Sequence, residues 1–456
     1  MCCFALILSS LLALSYAASS SRMGVNYGRL GDNLPSPYQS IQLLKTMKAG
    51  GIKLYDANPE ILRLLSGTKL CVSVMVTNEQ ISNIASSQAL ADQWVHDNVL
   101  PYYPNTKIRS ILVGNEVLSY NSESDRQKWH DLVPAMEKIE KAVTAHNIWN
   151  IKVGTPLAMD IMEGTFPPSN GVFRWDVTEL VIAPLLHFLN RTNSFFFIDV
   201  YPYFPWSADP SNINLDFALL NAGNLTYTDP GTGLTYTNLL DQMLDSVVFA
   251  MAKMGYDNMR IAIAETGWPN GGDIDQPGAN MYNAATYNRN LVRKMTATPP
   301  IGTPARPGSV TPTFIFALYD ENQKSGPGTE RHWGLVQPNG RANYELDLTG
   351  KRSESDYLRD PEPEKLWCVP GSGADVVELQ SALDFACGQG NGTCDAIKPG
   401  KECYEPLSVM AHAGYAFSSY WAKFRSIGAS CHFNGLAVQT TTDPSHGSCK
   451  LPSVTP

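Results

Sequence analysis

Short apolar runs alternate with amphipathic stretches along most of this chain. Each run has the length of a buried strand and ends at polar or turn-forming residues, whereas the stretches between runs have the apolar spacing of helices. We predict eight strands, at residues 23–27, 52–55, 70–76, 108–113, 151–154, 195–200, 260–264 and 314–318. We predict helices at residues 38–48, 59–65, 80–99, 125–146, 177–189, 239–254 and 287–295. Strands and helices that alternate in this way are typical of a closed parallel (β/α)8 barrel.

The barrel domain is expected to span residues 22–343. An open, doubly wound sheet has a similar alternation, but no glycine-rich phosphate loop follows the first predicted strand, so the closed barrel is favoured. One interval, residues 201–238, is too long for a simple connection and is rich in Pro, Tyr, Asn, Gly and Thr. It predicts an insertion over the top face of the barrel.

The last quarter of the chain has a different character. Charged residues predict a solvated linker at residues 344–366. A module follows at residues 367–450, with six cysteines and two stretches of helical apolar spacing, at residues 376–386 and 409–424. The aromatic residues of the second stretch are expected to form most of a small core. The predicted fold class is therefore α/β, a (β/α)8 barrel followed by a small disulfide-rich, mainly helical module.

The cysteines indicate an exported protein. Of nine in the chain, Cys71 lies alone in an apolar run, where we expect it to be a small buried hydrophobic residue. The six in the module predict three disulfides, for which fifteen pairings are open. Their spacing does not match that of zinc sites, so a metal is a remote alternative, and we predict no metal and no cofactor.

The first residues also indicate export. Residues 1–18 contain a short apolar run and a small-x-small pattern, which predict a cleaved signal peptide, although no Lys or Arg precedes the run. No later apolar run is long enough to span a membrane, and no hydrophobic C-terminal tail signals a lipid anchor. Sequons at Asn190, Asn224 and Asn391 predict N-glycosylation. We expect a soluble, secreted protein.

The charge balance argues against two classes of partner. The formal net charge is −9, the isoelectric point is near 5.4, and the charges are not clustered. Neither a phosphate backbone nor an anionic membrane surface attracts such a chain. We therefore predict no nucleic-acid partner.

Two glutamates follow predicted strands of the barrel. Glu265 ends the seventh strand in RIAIAETGWP, and Glu116 follows the fourth in VGNEV, next to Asn115. In such barrels the reacting groups come from the carboxyl ends of several strands, so these side chains are expected to face one cleft. The structural alternative is a carboxylate that only caps a helix or pairs with an arginine. Two facing carboxyl groups are what glycoside hydrolysis requires, and Trp268 adds a flat ring of the kind on which sugars stack.

Several segments, in barrel order, resemble the plant β-1,3-glucanases of glycoside hydrolase family 17. They are GVNYG (24–28), KLYDAN (53–58), VGNEV (113–117), DVYPYF (199–204), AETGWP (264–269) and ALYDEN (317–322). The tail resembles the six-cysteine β-1,3-glucan-binding module of the X8 or CBM43 type that is often attached to these enzymes. The segments that carry this second resemblance are LWCV (366–369), FAC (385–387) and DPSHGSC (443–449).

The resemblance implies a role for each strand-end residue. Glu265 matches the family's nucleophile and Glu116 its acid/base, so the two carboxyl groups should lie about 5–5.5 Å apart and the anomeric configuration should be retained. Asn115 matches a residue that bonds the sugar 2-hydroxyl. Further matches to cleft positions that orient sugar or carboxylates are Tyr27, Tyr201, Trp268, Glu321 and Lys324. Ordinary packing at the top of the barrel is the alternative for these, most of all for Tyr201.

The resemblance also implies the disulfides, and it is incomplete at five positions. Family connectivity gives the bridges Cys368 with Cys431, Cys387 with Cys394, and Cys403 with Cys449. Lys53 stands where Arg is expected and Asp199 where Asn is more usual, and a further acid near the cleft changes pKa values. In the tail, Leu407, Ser418 and His432 replace Asn, Asn and Asp.

The resemblance implies retaining endo-hydrolysis of internal β-1,3-glucosidic bonds in a cell-wall glucan of the callose or laminarin type. We expect a monomer in the extracellular cell wall, with the glucan as its partner and the module as an anchor. One alternative is a β-1,3-glucan transglucosylase, which passes the same covalent intermediate to a sugar. The other is a catalytically silent glucan-binding protein.

Overall fold

The computed structural model describes residues 23–273, 275–357, 365–390 and 392–455. The predicted signal peptide, the sequon residue Asn391 and the middle of the predicted linker lie outside these residues. The barrel and the module have separate hydrophobic cores, as the change in sequence character predicts.

The eight predicted barrel strands are confirmed, and with one further short strand they form a parallel sheet of 9 strands. In chain order they are β1 (Gly24–Tyr27), β2 (Gly51–Leu54), β3 (Cys71–Val76), β4 (Lys107–Val113), β5 (Lys152–Gly154), β6 (Pro156–Ala158), β7 (Phe196–Asp199), β8 (Ile261–Thr266) and β9 (Thr313–Ile315). The fifth predicted strand, at 151–154, corresponds to β5, and after Thr155 the same strand continues as β6, which was not predicted. Because β5 pairs with β4 and β6 pairs with β7, the two segments of this strand close the barrel. All the carboxyl ends therefore open on one face.

Helices flank the sheet between most of the strands. They are α1 (Pro37–Thr46), α2 (Pro59–Leu64), α3 (Ile81–Ser86), α4 (Gln88–Asn98), α5 (Glu123–Thr144), α6 (Ala183–Arg191), α7 (Leu239–Lys253) and α8 (Met281–Met295). Ser36 starts α1 in a capping box with Gln39, and Ser122 caps α5. The helix predicted at 80–99 is instead α3 and α4, because Ser87 has an extended backbone between them. The apolar faces of these helices pack on the sheet and build the main core.

The inside of the barrel has a small core of its own. It is built from Met75, Leu112, Phe195, Phe197, Ala262 and Ala264. Lys53, Asp199 and Glu265 are also buried on strands of this sheet. Buried charged groups destabilise a fold unless they are paired or neutralised, so their presence here indicates a functional site.

The predicted insertion at 201–238 is present and packed. It contains two short helices, Tyr203–Ala208 and Leu215–Ala218, and a hairpin of Tyr227–Thr228 with Thr235–Tyr236. Tyr203, Phe217 and Tyr236 belong to the main core of the barrel domain. The insertion is therefore a fixed part of the domain.

The predicted linker is wrong in its first part. Tyr344 and Leu348 are buried in the main core, and the Asn288 amide donates a hydrogen bond of 2.6 Å to the Tyr344 hydroxyl. The Arg289 guanidinium lies 4.2 Å from the centre of the Tyr357 ring. Charged residues dominate the composition of this stretch, so its sequence did not reveal the few apolar residues that pack on the barrel. Barrel packing thus continues past residue 343.

The module is built on two antiparallel strands and two helices. They are β10 (Trp367–Pro370), β11 (Ala437–Thr440), α9 (Val376–Gly388) and α10 (Val409–Phe424). Phe417 and Trp421 of α10 are buried in its core, as predicted. Val454 also belongs to this core, so the module extends past the predicted end at residue 450.

Three disulfides cross-link the module. They join Cys368 to Cys431, Cys387 to Cys394, and Cys403 to Cys449, which is the pairing that the family resemblance implies. Ser418, one of the departures from the family pattern, is buried and binds the backbone of Cys368 through both its hydroxyl hydrogen and its oxygen. Leu407 and His432 are exposed. Ser418 therefore has a structural role.

Several expectations about the surface concern individual residues. Asn190 and Asn224 are exposed, as glycan attachment requires. Cys71 is a free, half-buried thiol.

Within the described ranges, none of the helices has the length and apolar character needed to cross a membrane. Among these same residues, no group of three or more His, Cys, Asp or Glu side chains is arranged to hold a metal ion.

Candidate active site

A cleft of about 820 Å³ opens at the carboxyl ends of the barrel strands. Its walls combine carboxyl groups, tyrosine hydroxyls and aromatic rings. Its lining residues include Tyr27, Tyr55, Asn115, Glu116, Tyr201, Glu265, Phe316, Glu321, Lys324 and Trp333. The structure therefore brings together the predicted site residues, with the exception of Trp268.

Glu265 lies at the end of β8 and is held from three sides. The Lys53 ammonium donates to its Oε1 at 2.5 Å, and the Tyr55 hydroxyl donates to the same oxygen at 2.6 Å. The Tyr201 hydroxyl donates to Oε2 at 2.7 Å. Lys53 also donates to Asn115 Oδ1 at 3.0 Å, so a single ammonium group orients both side chains.

These contacts keep Glu265 ionised. Burial alone would raise the pKa of its carboxyl group, but the positive charge of Lys53 and the hydrogen bonds from Lys53, Tyr55 and Tyr201 outweigh burial and hold this pKa below its ordinary value. The Glu265 side chain is 6% exposed and that of Lys53 is 0% exposed. A fixed carboxylate of this kind is suited to nucleophilic attack.

Glu116 is presented by an unusual turn after β4. Gly114 and Glu116 both have left-handed backbone conformations, with φ values of 71° and 49°. The Asn78 side chain clamps the turn, because it accepts from the Asn115 N–H at 2.8 Å and donates to the Asn115 carbonyl at 3.0 Å. The Glu116 N–H donates to the Pro156 carbonyl at 3.0 Å. The backbone thus fixes the direction of the Glu116 side chain.

Substitution of Gly114 by alanine tests this turn. The new Cβ would lie 2.5 Å from Val117 Cγ2 and 2.8 Å from Ile81 Cδ1, besides the strain of a left-handed alanine. We expect a loss of about 2–4 kcal/mol of unfolding free energy and a clear fall in activity, because Glu116 is displaced. Thermal unfolding and kcat measure these two effects.

Gly67→Ala is the matched control for that substitution. Gly67 has nearly the same φ, 70°, but nothing lies within 4 Å of an added Cβ. It should lose only about 1–2 kcal/mol through backbone strain and keep full activity. Equal losses of activity in the two variants would contradict the positioning role of the Gly114 turn.

The environment of Glu116 opposes ionisation. Burial, with a smaller contribution from the negative charge of Glu265, raises its pKa to about 7, although Lys53 acts in the opposite direction. At pH values below about 7, Glu116 is therefore mainly protonated while Glu265 remains a carboxylate. Two carboxyl groups with separated pKa values are the usual basis of an acid and nucleophile pair.

Glu321 and Lys324 form another polar part of the cleft. Glu321 Oε1 accepts a hydrogen bond of 2.7 Å from the Leu30 N–H. A Cβ at Gly28 would lie 2.3 Å from Glu321 Oε2, which explains why glycine is needed there. Lys324 Nζ lies 4.2 Å from the centre of the Phe316 ring. Burial raises the pKa of Glu321, against the effect of Lys324 and the Leu30 donor.

The predicted stacking of a sugar on Trp268 is wrong. Its side chain is 0% exposed, its ring packs 5.2 Å from that of Tyr203, and its Nε1 donates to the Gly278 carbonyl at 2.8 Å. A ring enclosed in this way cannot stack on a sugar, so Trp268 supports the turn that follows Glu265. Tyr27 lines the cleft, but it is 2% exposed and packs edge-on against Tyr319.

Sequence reasoning missed several residues of the cleft. Tyr55, a direct donor to Glu265, lies two residues after Lys53, and this spacing places both side chains on the same side of β2. The Asn26 amide in turn donates to the Tyr55 hydroxyl at 3.1 Å. Phe204, 46% exposed, and Tyr120, 54% exposed, supply exposed aromatic rings at the cleft. Tyr55 was detectable from strand alternation, and Phe204 lies in the segment DVYPYF, whereas no sequence pattern marks Tyr120.

A (β/α)8 barrel with an ionised glutamate and a protonated glutamate in one cleft has the features of a glycoside hydrolase. Residues 23–348 match the family model described as glycosyl hydrolases family 17, and residues 366–438 match that of the X8 domain. The chain belongs to glycosyl hydrolases family 17.

Relatives and solved structures agree with this assignment. The chain is 58% identical over 443 residues to the probable glucan endo-1,3-beta-glucosidase A6 of Arabidopsis thaliana, covering 96% of this chain and 92% of the relative. It is 39% identical over 448 residues to glucan endo-1,3-beta-glucosidase 7 of the same plant, covering 97% and 87%. CJP38, a beta-1,3-glucanase and allergen of Cryptomeria japonica pollen, is similar in structure. It has a TM-score of 0.67 and 40% identity, with 72% of this chain and 99% of that one covered.

Proposed function

We propose that this protein hydrolyses internal β-1,3-glucosidic bonds of a glucan, with retention of the anomeric configuration. One observation carries the proposal: Glu116 and Glu265 line the same cleft, and their surroundings shift the pKa values of the two carboxyl groups in opposite directions. The names of the relatives, which are glucan endo-1,3-beta-glucosidases, indicate the linkage. A cleft that is open at the barrel face accommodates the interior of a chain as well as its end.

In the first step, the Glu265 carboxylate attacks the anomeric carbon and forms a glycosyl ester. Glu116 gives its proton to the leaving oxygen, so the bond to the departing sugar breaks and Glu116 becomes a carboxylate. In the second step, that carboxylate removes a proton from water, which attacks the anomeric carbon and releases Glu265. Two inversions give net retention, and both glutamates return to their starting states.

Other residues of the cleft orient the sugar and the nucleophile. Asn115 Oδ1 accepts from Lys53, so its Nδ2 group is the part that donates to the 2-hydroxyl of the reacting sugar. Tyr55 and Tyr201 hold the nucleophile, and Glu321 and Lys324 bind hydroxyl groups along the cleft. The exposed rings of Phe204 and Tyr120 replace Trp268 as surfaces for sugar stacking.

The remaining parts of the chain fit an enzyme of the cell exterior. We assign residues 1–18 to a signal peptide and the cysteine module to glucan anchoring, which raises the local concentration of polymer at the cleft. Three disulfides accord with an oxidising compartment. The protein then acts as a secreted monomer in the cell wall, with glycans at the exposed Asn190 and Asn224.

The pH dependence of kcat/KM follows from the two glutamates. Activity should fall as the pH rises through about 7, because Glu116 then loses the proton that it must donate. On the acid side it should fall only below the ordinary glutamate pKa of 4.5, because Glu265 must be ionised. Initial rates on a soluble oligoglucan at constant ionic strength measure both limits. Undiminished activity well above neutral pH would contradict the acid role of Glu116.

Product sizing on a linear β-1,3-glucan tests the proposed activity. Short oligomers with newly formed β-anomeric ends are expected for retaining endo-hydrolysis. Products longer than a starting oligoglucan would favour a transglucosylase, in which a sugar intercepts the glycosyl ester. Binding of the polymer without release of reducing sugar would favour the silent binding protein.

A further inference from the structure

Asp199 is a buried carboxyl group beside the proposed nucleophile. It ends β7, where its backbone is paired in register with Glu265 on β8 and with Ala158 on β6. The residue is 2% exposed. Within the described part of the chain, neither of its oxygens has a hydrogen-bond partner.

The positive charge of Lys53 is shared among several carboxyl groups, of which Asp199 is one. Lys53 acts electrostatically on three carboxyl groups, those of Glu116, Asp199 and Glu265. Its ammonium is in contact with Glu265, which also receives both tyrosine hydroxyls. Asp199 receives no such donor. A buried carboxylate without a donor or a cation is strongly disfavoured, so such a group takes up a proton.

We propose that Asp199 is a positioning residue that works as a neutral carboxylic acid, and that its retained proton leaves Lys53 in contact with Glu265 and Asn115. The inference rests on the proposed role of Glu265 as nucleophile. An ionised Asp199 would compete for the ammonium of Lys53. The contacts of 2.5 Å to Glu265 and 3.0 Å to Asn115 would then lengthen.

The surrounding groups agree with a neutral Asp199. Burial raises its pKa well above the ordinary value, the negative charge of Glu265 on β8 raises it further, and Glu116 beyond β4 adds to this effect. Lys53 on β2 is the opposing group. The Tyr55 hydroxyl, which Asp199 also influences, already donates to Glu265 and brings no compensating charge.

The proposal predicts that activity depends on two ionisations at alkaline pH, that of Glu116 and that of Asp199. Loss of the Glu116 proton removes the acid, and loss of the Asp199 proton at higher pH would displace Lys53 from the nucleophile. The logarithm of kcat should therefore fall with a slope that steepens from −1 toward −2 as the pH rises. The effect falls on kcat rather than KM, because Lys53 orients the reacting carboxylate.

Asp199→Asn tests the proposal, because asparagine is a neutral group of the same shape. In the full-length chain we expect kcat within about threefold of wild type near pH 5, and an alkaline slope that stays at −1. Asp160→Asn is the control: it also removes a carboxyl group that acts on Glu116, but Asp160 is exposed. It should keep the wild-type slope. An unchanged slope in Asp199→Asn would overturn the proposal.

Infrared difference spectra detect the protonated carboxyl group of Asp199 directly. Wild type minus Asp199→Asn at about pH 7 should show the carbonyl band of a protonated carboxyl group. A carboxylate band in its place would overturn the proposal. This readout does not depend on catalysis, so it separates the inference from the proposed function, which fails if wild type releases no sugar.

If Asp199→Asn does not fold, a labelled variant that keeps Asp199 tests the same proposal. Asp241 and Asp245 are the other buried aspartates with raised pKa values among the described residues, and both lie on α7. A chain with Asp241→Asn and Asp245→Asn, labelled with carboxyl-13C aspartate, should retain one protonated aspartate at about pH 8. Complete ionisation of the labelled carboxyl groups would contradict the inference.

Discussion

Glu265→Ala is expected to lower kcat on a linear β-1,3-glucan on the order of 10⁴-fold or more. The substitution removes the carboxylate that forms the glycosyl ester. No neighbour replaces it, because Asp199 is buried and does not line the cleft, and Glu116 must serve as the acid. Reducing-sugar release measures the loss, and polymer binding should persist through the module.

Azide distinguishes loss of the nucleophile from general damage. With an aryl β-glucoside of an oligoglucan, azide can enter the space left by the Glu265 side chain and attack the anomeric carbon once. The product should be the α-glycosyl azide, of inverted configuration. Glu163→Gln, at an exposed glutamate on the hairpin after β6, should behave as wild type. Retained turnover of glucan by Glu265→Ala would exclude Glu265 as nucleophile.

Glu116→Ala should reduce kcat/KM on glucan by about 10²–10⁴-fold, the usual contribution of a general acid. An aryl glycoside with a good leaving group needs no protonation, so its first step should be nearly unaffected. The second step then becomes limiting, because no base activates water, and the glycosyl ester on Glu265 should accumulate. Mass spectrometry of the quenched protein detects that ester.

Azide separates the two glutamates in this case as well. It should speed the second step of Glu116→Ala by attacking the glycosyl ester, which gives the β-glycosyl azide with retained configuration. The alkaline fall in activity near pH 7 should also vanish, because the group responsible has been removed. Equal losses on glucan and on the activated glycoside would contradict the acid/base assignment.

Much of the barrel was predictable because its signal is repeated. Each strand is an apolar run with a turn at its end, and Glu116 and Glu265 follow two such runs. The parallel sheet then places all the carboxyl ends on one face, so the common cleft follows from topology. The continuation of the fifth strand as β6 after Thr155 was not predicted, because three residues that begin with a proline are too short a run to indicate a strand.

The remaining errors have a common physical cause, which is that sequence distance does not specify side-chain direction. Trp268 lies three residues after Glu265, but the turn between them directs its ring into the core. Tyr344 and Leu348 are buried residues whose neighbours in the sequence are charged. The average composition of the segment therefore does not reveal them. The exposed rings of Tyr120 and Phe204 lie outside the barrel strands, in segments whose course depends on tertiary contacts.

The closure of the barrel through β5 and β6 has a consequence for behaviour at high protein concentration. In the described residues, the two ends of the barrel sheet are β5 and β6, the short segments of one strand, and each of them pairs on one side only. The unpaired edges that they leave are only 3 residues long, too short to offer a second molecule a good template for a strand. The pair β10 and β11 of the module forms a two-stranded sheet with outer edges. Aggregation by edge pairing would therefore begin in the module rather than in the catalytic barrel.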